Sequence, residues 1–143
     1  MNPSPLQLER YFFSKVEITT HPDGEIGTPN LIGCQIEIGR APDNLRRFQV
    51  SLLVKLTSPP EKKATYTGEV QAIGLFHVLP VWPDDKIDTL VESNGLAVLF
   101  GAIRELVYNI TSRGPWPAVM LNTFTFIPDK SPTAPAKAEL VSK

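Results

Sequence analysis

The sequence predicts an α+β protein in which a four-stranded antiparallel sheet is covered on one face by a long helix. Two observations carry this prediction. Apolar and polar residues alternate over four segments up to Val78, and beyond it the apolar residues recur at helical spacing. Strands that follow one another before any helix favour antiparallel pairing, with the helix packed on the apolar face of the sheet.

The first strand is predicted over Leu6–Thr20, and the loop "HPDGEIGTPN" follows it. Its apolar parity contains Leu8, Phe12, Val16 and Ile18. Tyr11 and Phe13 interrupt the otherwise polar parity. Two aromatic residues on that side of a strand indicate a surface that another subunit covers. Tyr11 and Phe13 are therefore predicted oligomer-interface residues.

Three further strands are predicted over Leu31–Gly39, Leu45–Thr57 and Ala64–Val78. The connecting segments "RAPDN" and "SPPEKK" contain prolines, which do not fit a central strand. Small residues at positions 68, 72 and 74 lie on the apolar parity of the fourth strand. They predict that a helix approaches the sheet closely at this point.

Two helices are predicted after "LPVWP". Asp84 or Asp85 is placed to cap a short helix that ends near Glu92, and Asn94 begins a longer helix that ends at Gly114. The apolar stripe of the longer helix is broader than one sheet face requires, which predicts that part of it contacts a second copy of the protein. The predicted interface residues on this helix are Leu99, Phe100, Ile103 and Val107.

Composition restricts the class of partner. The chain has 143 residues, 42% of them apolar, and a net charge of −1, so it lacks the positive field that nucleic acid or an anionic membrane surface demands. Cys34 is the only cysteine, which excludes an intrachain disulfide and a thiolate zinc cluster, and no metal is expected. No leader pattern or bilayer-length apolar run is present, so we expect a cytoplasmic protein without membrane insertion.

The pattern also predicts how the chain divides. We expect one domain over residues 1–128. Residues 129–143 combine prolines, lysines and small residues without a periodic apolar pattern. We expect these residues to form a flexible C-terminal tail.

Candidate catalytic groups are few, and each has a simpler explanation. Asp84 and Asp85 could act as a carboxylate pair, but adjacent side chains at a helix start diverge, and capping explains them better. Cys34 could be a nucleophile with His77 or His21 as its base, yet its position among isoleucines favours a core role. The glycines of "GEIGTPNLIG" lack the lysine and the strand-turn-helix context of a phosphate loop. We therefore expect no enzymatic activity and no cofactor.

Two short segments carry more aliphatic and aromatic residues than their lengths require. These residues are Leu31, Ile32, Ile36 and Ile38 in the first segment and Val119, Leu121, Phe124 and Phe126 in the second, with Trp116 nearby. The pattern alone leaves two interpretations open. The side chains either all enter the core, or they line a groove for an extended hydrophobic peptide.

The segment "LFGAIRELVYNITSRGPWPAVML" resembles the helix and the following segment of the SecB chaperone family. The matching features are the pair Arg104 and Glu105, the triplet "SRG", the step Trp116-Pro117, and Leu121. Upstream, "GEVQAIGLF" is similar to the family's strand that bears Glu-Val-Gln, and "LQLERYFFSKVEI" resembles its first strand. The resemblance covers roughly residues 6–126.

This resemblance implies an ATP-independent holdase that keeps unfolded precursor polypeptides competent for export through the Sec translocase. It also implies a homotetramer built as a dimer of dimers, and transfer of clients to the SecA motor. Carried over by position, the client-binding residues are Leu31, Ile32, Cys34, Ile36, Ile38, Trp116, Val119, Leu121, Phe124 and Phe126. The implied motor-docking residues are Glu17 and Glu69.

The sequence departs from the family pattern in three places. Lys15 and Thr19 stand on the first strand where acidic residues are expected, "LIG" at 31–33 replaces an Asp-Trp-x-Pro step, and the segment after Phe126 lacks the second helix and the zinc ligands of many members. Because of these departures, the resemblance does not identify which polypeptides the protein binds. A second hypothesis is a SecB-like chaperone dedicated to one client, such as an antitoxin of a toxin–antitoxin system. A third, of another class, is a structural or adaptor oligomer whose apolar segments serve only assembly.

Overall fold

The described residues form one antiparallel sheet with a helical segment across one face. In this computed structural model, which describes residues 1–126 and the strand at 137–141, the strands are β1 (Leu6–Thr20), β2 (Leu31–Ala41), β3 (Asn44–Thr57), β4 (Tyr66–Val78) and β5 (Lys137–Val141). Their order across the sheet is β1-β4-β3-β2-β5. The first four strands confirm the predicted antiparallel sheet, since alternation of apolar and polar residues suits a sheet with one covered face.

The sequence pattern does not predict β5. This strand lies in the segment expected to be a tail, and it pairs with β2 from Leu31 opposite Val141 to Gln35 opposite Lys137. Five residues are too few for an alternation to stand out among the prolines and lysines nearby. The predicted boundary at residue 128 and most of the predicted tail lie outside the described residues, so the division at that point stays a prediction.

The helical segment after β4 is continuous where two separate helices are predicted. It consists of a 3₁₀ turn (Asp84–Lys86), α1 (Ile87–Leu90), a π-helical turn (Val91–Gly95) and α2 (Leu96–Thr111). The π-helical turn joins the two predicted helices at the point where Asn94 is predicted to begin the longer one. Pro83, not an aspartate, occupies the capping position, and the Asp84 carboxylate pairs with Arg46 instead. No helix in the part of the chain that the structure describes is long and apolar enough to cross a membrane.

Two β-bulges in β1 change which side chains face the helix. The register with β4 shifts by one residue at Glu9 and again at Ser14. Between these two residues, Tyr11 and Phe13 lie on the helix-bearing face and Phe12 lies on the outer face. The predicted faces of these aromatics are therefore wrong, because each extra residue reverses the alternation of a strand.

The core lies between α2 and the even-numbered residues of β3 and β4. The four helix residues predicted to contact a second copy are only 0–2% exposed, and these are Leu99, Phe100, Ile103 and Val107. That prediction is wrong, because the sheet and the segment after α2 already cover them. The close approach depends on Gly74, where an added Cβ would lie 3.0 Å from Cδ2 of Leu99. The broad stripe of α2 thus serves the protomer's own core.

Candidate functional site

The predicted binding residues separate into three groups by exposure. Ile32, Cys34 and Leu121 are 0–2% exposed, so the structure assigns them to the core rather than to a binding surface. Ile38, near the end of β2, is 40% exposed. The partly buried group contains Leu31, Ile36, Trp116, Val119, Phe124 and Phe126. The core interpretation therefore holds for the three buried residues, and the groove interpretation stays a prediction for the other seven.

The aromatic residues after α2 form a cluster with the helix. The ring of Phe100 lies 5.3 Å from that of Phe124 in an edge-to-face arrangement and 5.8 Å from that of Phe126. Aromatic pairs at these separations add to the stabilisation that burial provides. Phe124 and Phe126 keep part of their surface exposed beside a buried anchor.

A groove of about 260 Å³ lies between the loop before β2 and the segment after α2. We call it the loop groove. It is lined by Ile26, Gly27, Thr28, Pro29, Asn30, Thr65, Pro117, Ala118, Val119 and Met120. Val119 is the sequence-predicted residue that lies in it. A concave surface with apolar walls is the usual form of a site that binds apolar ligands.

Sequence reasoning missed two prominent apolar residues of this groove. Ile26 is 66% exposed and Met120 is 52% exposed, one on each wall. Ile26 stands alone in a polar loop, where no periodic pattern marks it. One feature of the sequence could have identified Ile26. It is a large aliphatic residue in a loop rich in glycine and proline, and it belongs to no predicted strand. Exposed apolar side chains of this size on facing walls favour an apolar ligand.

Tyr66, at the start of β4, holds both walls of the loop groove. Its backbone carbonyl accepts a hydrogen bond from Asn30 Nδ2 at 2.8 Å, on the loop wall. Its hydroxyl accepts one from the backbone N–H of Trp116 at 3.0 Å, on the wall after α2. The same hydroxyl lies 3.2 Å from the carbonyl oxygens of Thr111 and Trp116, to which it can donate. Because Tyr66 is only 2% exposed, these bonds are shielded from water.

Thr111, at the end of α2, fixes the wall of the loop groove that follows α2. Its hydroxyl donates to the carbonyl of Val107 at 2.8 Å and accepts from the backbone N–H of Val119 at 2.9 Å. A threonine hydroxyl that donates to the carbonyl four residues earlier is well tolerated in the last turn of a helix. Here its second hydrogen bond also sets where Val119 enters the groove.

The loop wall is attached to the end of the β3–β4 connection. The backbone N–H of His21 donates to the carbonyl of Thr65 at 2.8 Å, and that of Glu25 donates to the carbonyl of Lys63 at 2.8 Å. Gly27 has a φ of 90°, which a glycine adopts without steric cost. The loop therefore turns sharply at Gly27 and presents Ile26 beside the groove.

The acidic residues predicted to dock a motor lie on the outer face of the sheet and are paired with lysines. Lys15 Nζ lies 2.6 Å from a carboxylate oxygen of Glu69 and 3.7 Å from one of Glu17. Lys55 approaches Glu69 from the other side at 3.6 Å. The hydrogen bond from Lys15 lowers the pKa of Glu69 below its usual range, so this carboxylate stays charged but compensated. The face at this point is neutral rather than acidic.

The weak catalytic candidates do not assemble into a site. Burial raises the pKa of Cys34 to about 11, which disfavours the thiolate that a nucleophile needs. His77 belongs to the outer face, where its Nδ1 lies 3.2 Å from Glu9, whereas Cys34 lies in the core. His21 Nε2 lies 2.6 Å from the hydroxyl of Thr67. In the described part of the chain, no group of three or more His, Cys, Asp or Glu is placed to hold a metal ion.

Comparisons with known proteins agree with the resemblance in sequence. Residues 24–128 match the family model described as preprotein translocase subunit SecB. The protein-export protein SecB of Psychrobacter arcticus is 30% identical over 79 residues, which are 55% of this chain and 53% of that protein. The corresponding protein of Xanthomonas campestris is 32% identical over 90 residues, 63% of this chain and 51% of that protein. The chain thus spans about half the length of these curated relatives.

A solved structure supports the fold. It is the SecB-like chaperone of Mycobacterium tuberculosis in complex with an antitoxin peptide, and it superposes with a TM-score of 0.65 at 16% identity. The match covers 84% of this chain and 91% of that protein. At this identity the likeness shows a shared fold.

Proposed function

The chain belongs to the SecB family, and from this premise we propose that it is a chaperone that binds unfolded or precursor polypeptides without ATP. In this role it keeps them competent for export through the Sec translocase, acts in the cytoplasm and catalyses no reaction. The loop groove is the proposed binding site. The observation that carries the proposal is the pair of exposed apolar side chains, Ile26 and Met120, on two walls anchored to one buried tyrosine.

The physical basis of holding is burial of apolar client surface. Each square ångström removed from water contributes about 25 cal/mol, so a shallow groove gives useful affinity without reading a sequence. The thioether of Met120 adapts to side chains of different shape, which suits a site with many clients. Release needs no nucleotide when each contact is weak.

The proposal also covers assembly of the protein into a homotetramer and its contact with the SecA motor. Apolar residues that remain exposed on the helix-bearing face would form the contact between copies in a homotetramer built as a dimer of dimers. They are Leu8, Tyr11, Val16 and Val98, each 38–47% exposed, with Phe13 partly buried beside them. They replace the buried α2 residues as the interface. SecA would contact the outer face at Glu17 and Glu69, where the paired lysines weaken its attraction for a basic surface.

The test is suppression of aggregation. A chemically unfolded, slow-folding precursor is diluted into buffer with and without this protein, in the absence of nucleotide, and light scattering is followed. We expect stoichiometric suppression and a complex that co-elutes on size exclusion. No suppression at several-fold excess, together with no binding of a dye for exposed apolar surface, would instead support a structural or adaptor oligomer.

A dedicated chaperone is the second candidate. Two observations favour it. The acidic residues of the outer face are paired with lysines, which weakens the attraction for the SecA motor that general export requires. The fold is also shared with a chaperone that was solved with an antitoxin peptide. A dedicated chaperone would bind one peptide sequence at least tenfold more tightly than scrambled versions of it. Equal binding of native and scrambled peptides would exclude this candidate and leave the general holdase.

A further inference from the structure

The free edge of β2 is only partly covered by β5. The pairing runs from Leu31 to Gln35, which is five of the eleven residues of β2. Within the described residues, no strand pairs with 36–41 on that side. An uncovered strand edge presents N–H and C=O groups that accept an added strand.

The uncovered half of β2 has the features of a binding surface. Ile36 is partly buried, and Ile38 is 40% exposed. A strand longer than β5 would complete the backbone ladder here and bury Ile38 as well.

The edge of β2 is also continuous with the loop groove. Asn30 lines the groove, and β2 begins at the next residue, Leu31. An extended polypeptide that leaves the groove therefore meets this edge directly. β5 occupies the part of the edge nearest the groove, since Val141 lies opposite Leu31.

We propose that β5 is an exchangeable cover, and that an extended segment of a client displaces it and pairs antiparallel with β2 along Leu31–Ala41. This deepens the proposed holdase function and depends on it. The client has up to eleven positions of β2 to pair with, against five for β5. β5 also has the sequence Lys-Ala-Glu-Leu-Val, in which two of five residues are charged, so it is a weak competitor for an apolar strand. Being attached to the chain, it returns when the client leaves.

The register supplies a test, because Ala138 lies opposite Cys34, the only cysteine of the chain. Directly opposed residues in an antiparallel pair are close enough for a disulfide. In Ala138→Cys, an oxidant such as diamide accepts the two electrons and two protons of the thiols and locks β5 onto β2. Oxidation is run at alkaline pH because the pKa of Cys34 is raised to about 11. The matched control is Ala138→Ser, which cannot form the bond.

The measured quantity is the affinity for reduced, carboxymethylated lactalbumin, a permanently unfolded probe. We expect oxidised Ala138→Cys to bind at least tenfold more weakly than its reduced form, and dithiothreitol to restore binding. The reduced form of the same variant shows that the substitution itself leaves the fold intact. A second variant, Ala138→Pro, lacks a backbone donor in β5 and should bind the probe more tightly than the wild type.

Each outcome bears on a defined part of the proposal. Equal affinity of the oxidised and reduced forms would overturn the exchange while leaving the holdase function intact. Failure of the disulfide to form even when the unfolded, reduced variant is refolded with the oxidant, so that both thiols are accessible, would contradict this register of β5 and overturn the exchange. Absence of probe binding in every form, wild type included, would overturn the holdase function and the exchange together.

Discussion

The hydroxyl of Tyr66 accepts a hydrogen bond from the backbone N–H of Trp116 at 3.0 Å, across 50 residues of sequence. The same tyrosine holds Asn30 through its backbone carbonyl, so the two walls of the loop groove share one anchor. A groove built in this way has both walls hydrogen-bonded to the same buried residue. The position of Trp116 should therefore respond to any change at Tyr66.

Removal of this hydroxyl is the first prediction. Tyr66→Phe leaves the N–H of Trp116 without its partner, and an unsatisfied buried group costs about 1–3 kcal/mol. We expect the free energy of unfolding in urea to fall by roughly that amount, and client holding to weaken because one wall is released. Tyr108→Phe is the control, since Tyr108 is 38% exposed. A Tyr66→Phe protein as stable as the control would contradict the anchoring role.

The second prediction concerns the exposed residues of the groove. Ile26→Asp and Met120→Asp should leave the unfolding free energy within about 0.5 kcal/mol of wild type, because both sites are exposed. Suppression of aggregation should fall strongly in both, since each places a charge on an apolar wall. Leu45→Asp, at a site 67% exposed in the β2–β3 hairpin, is the matched control and should hold clients normally. Equal loss in the control would indicate a non-specific charge effect.

Two adjacent residues should respond in opposite ways to truncation, which is the third prediction. Leu121 is 1% exposed, and Leu121→Ala should lower the unfolding free energy by about 2–4 kcal/mol through the cavity it leaves. Met120 is 52% exposed, so Met120→Ala should change stability little and reduce client holding. Urea unfolding and light scattering on the same samples separate the two effects. Similar stability of the two variants would show that Leu121 does not belong to the core.

The fourth prediction tests the close approach of Gly114 to Tyr66. An added Cβ at Gly114 would overlap the Tyr66 hydroxyl and lie 2.9 Å from its Cζ. Gly114→Ala should therefore destabilise the protein, and by less when Tyr66→Phe is also present, because the overlapping oxygen is gone. A double-mutant cycle of unfolding free energies measures this coupling. Gly101→Ala is the control, since the nearest atom to its added Cβ is 3.9 Å away.

The ion pair on the outer face gives a prediction for pH. Because Lys15 lowers the pKa of Glu69, the contribution of Glu69 to stability is present above the ordinary carboxyl pKa and is lost as pH falls through the lowered value. In Lys15→Met we expect the pKa of Glu69 to rise towards its ordinary value, as read by an NMR pH titration. Lys62→Met, which alters an exposed pair with Glu25, should leave Glu69 unchanged. A Glu69 titration that is the same in both variants would exclude the pairing in solution.

Alternation in the sequence predicts β2, β3 and β4 well, because each is a regular strand with one face on the core. The same reasoning fails in β1, where Glu9 and Ser14 are extra residues. A bulge leaves no mark in the apolar count, yet it moves every later side chain to the opposite face until the next bulge restores the phase.

The candidate site shows a similar division. The high content of apolar residues marks the segments 31–38 and 116–126 in the sequence. It does not distinguish Leu121, which is buried, from Met120, which is exposed. That distinction depends on where Tyr66 and Thr111 hold the chain after α2, through contacts across long stretches of sequence. The width of the α2 stripe suggested an interface because the cover from Phe124 and Phe126 is not visible in a helical pattern.

The bulges of β1 have a consequence for the proposed binding of extended, apolar polypeptides. Contact between copies in the proposed homotetramer must stop at a closed assembly, and β1 is an edge strand with Leu8, Tyr11 and Val16 exposed. A long, regular edge of this composition would template the stacking of further strands into a fibre. Glu9 and Ser14 interrupt the edge at two points, and the longest run that remains, 15–20, has six residues and carries the charged Lys15 and Glu17, which disfavour stacking. The two bulges that make the faces of β1 difficult to predict from the sequence therefore also limit the open-ended pairing of β1 between copies of the protein.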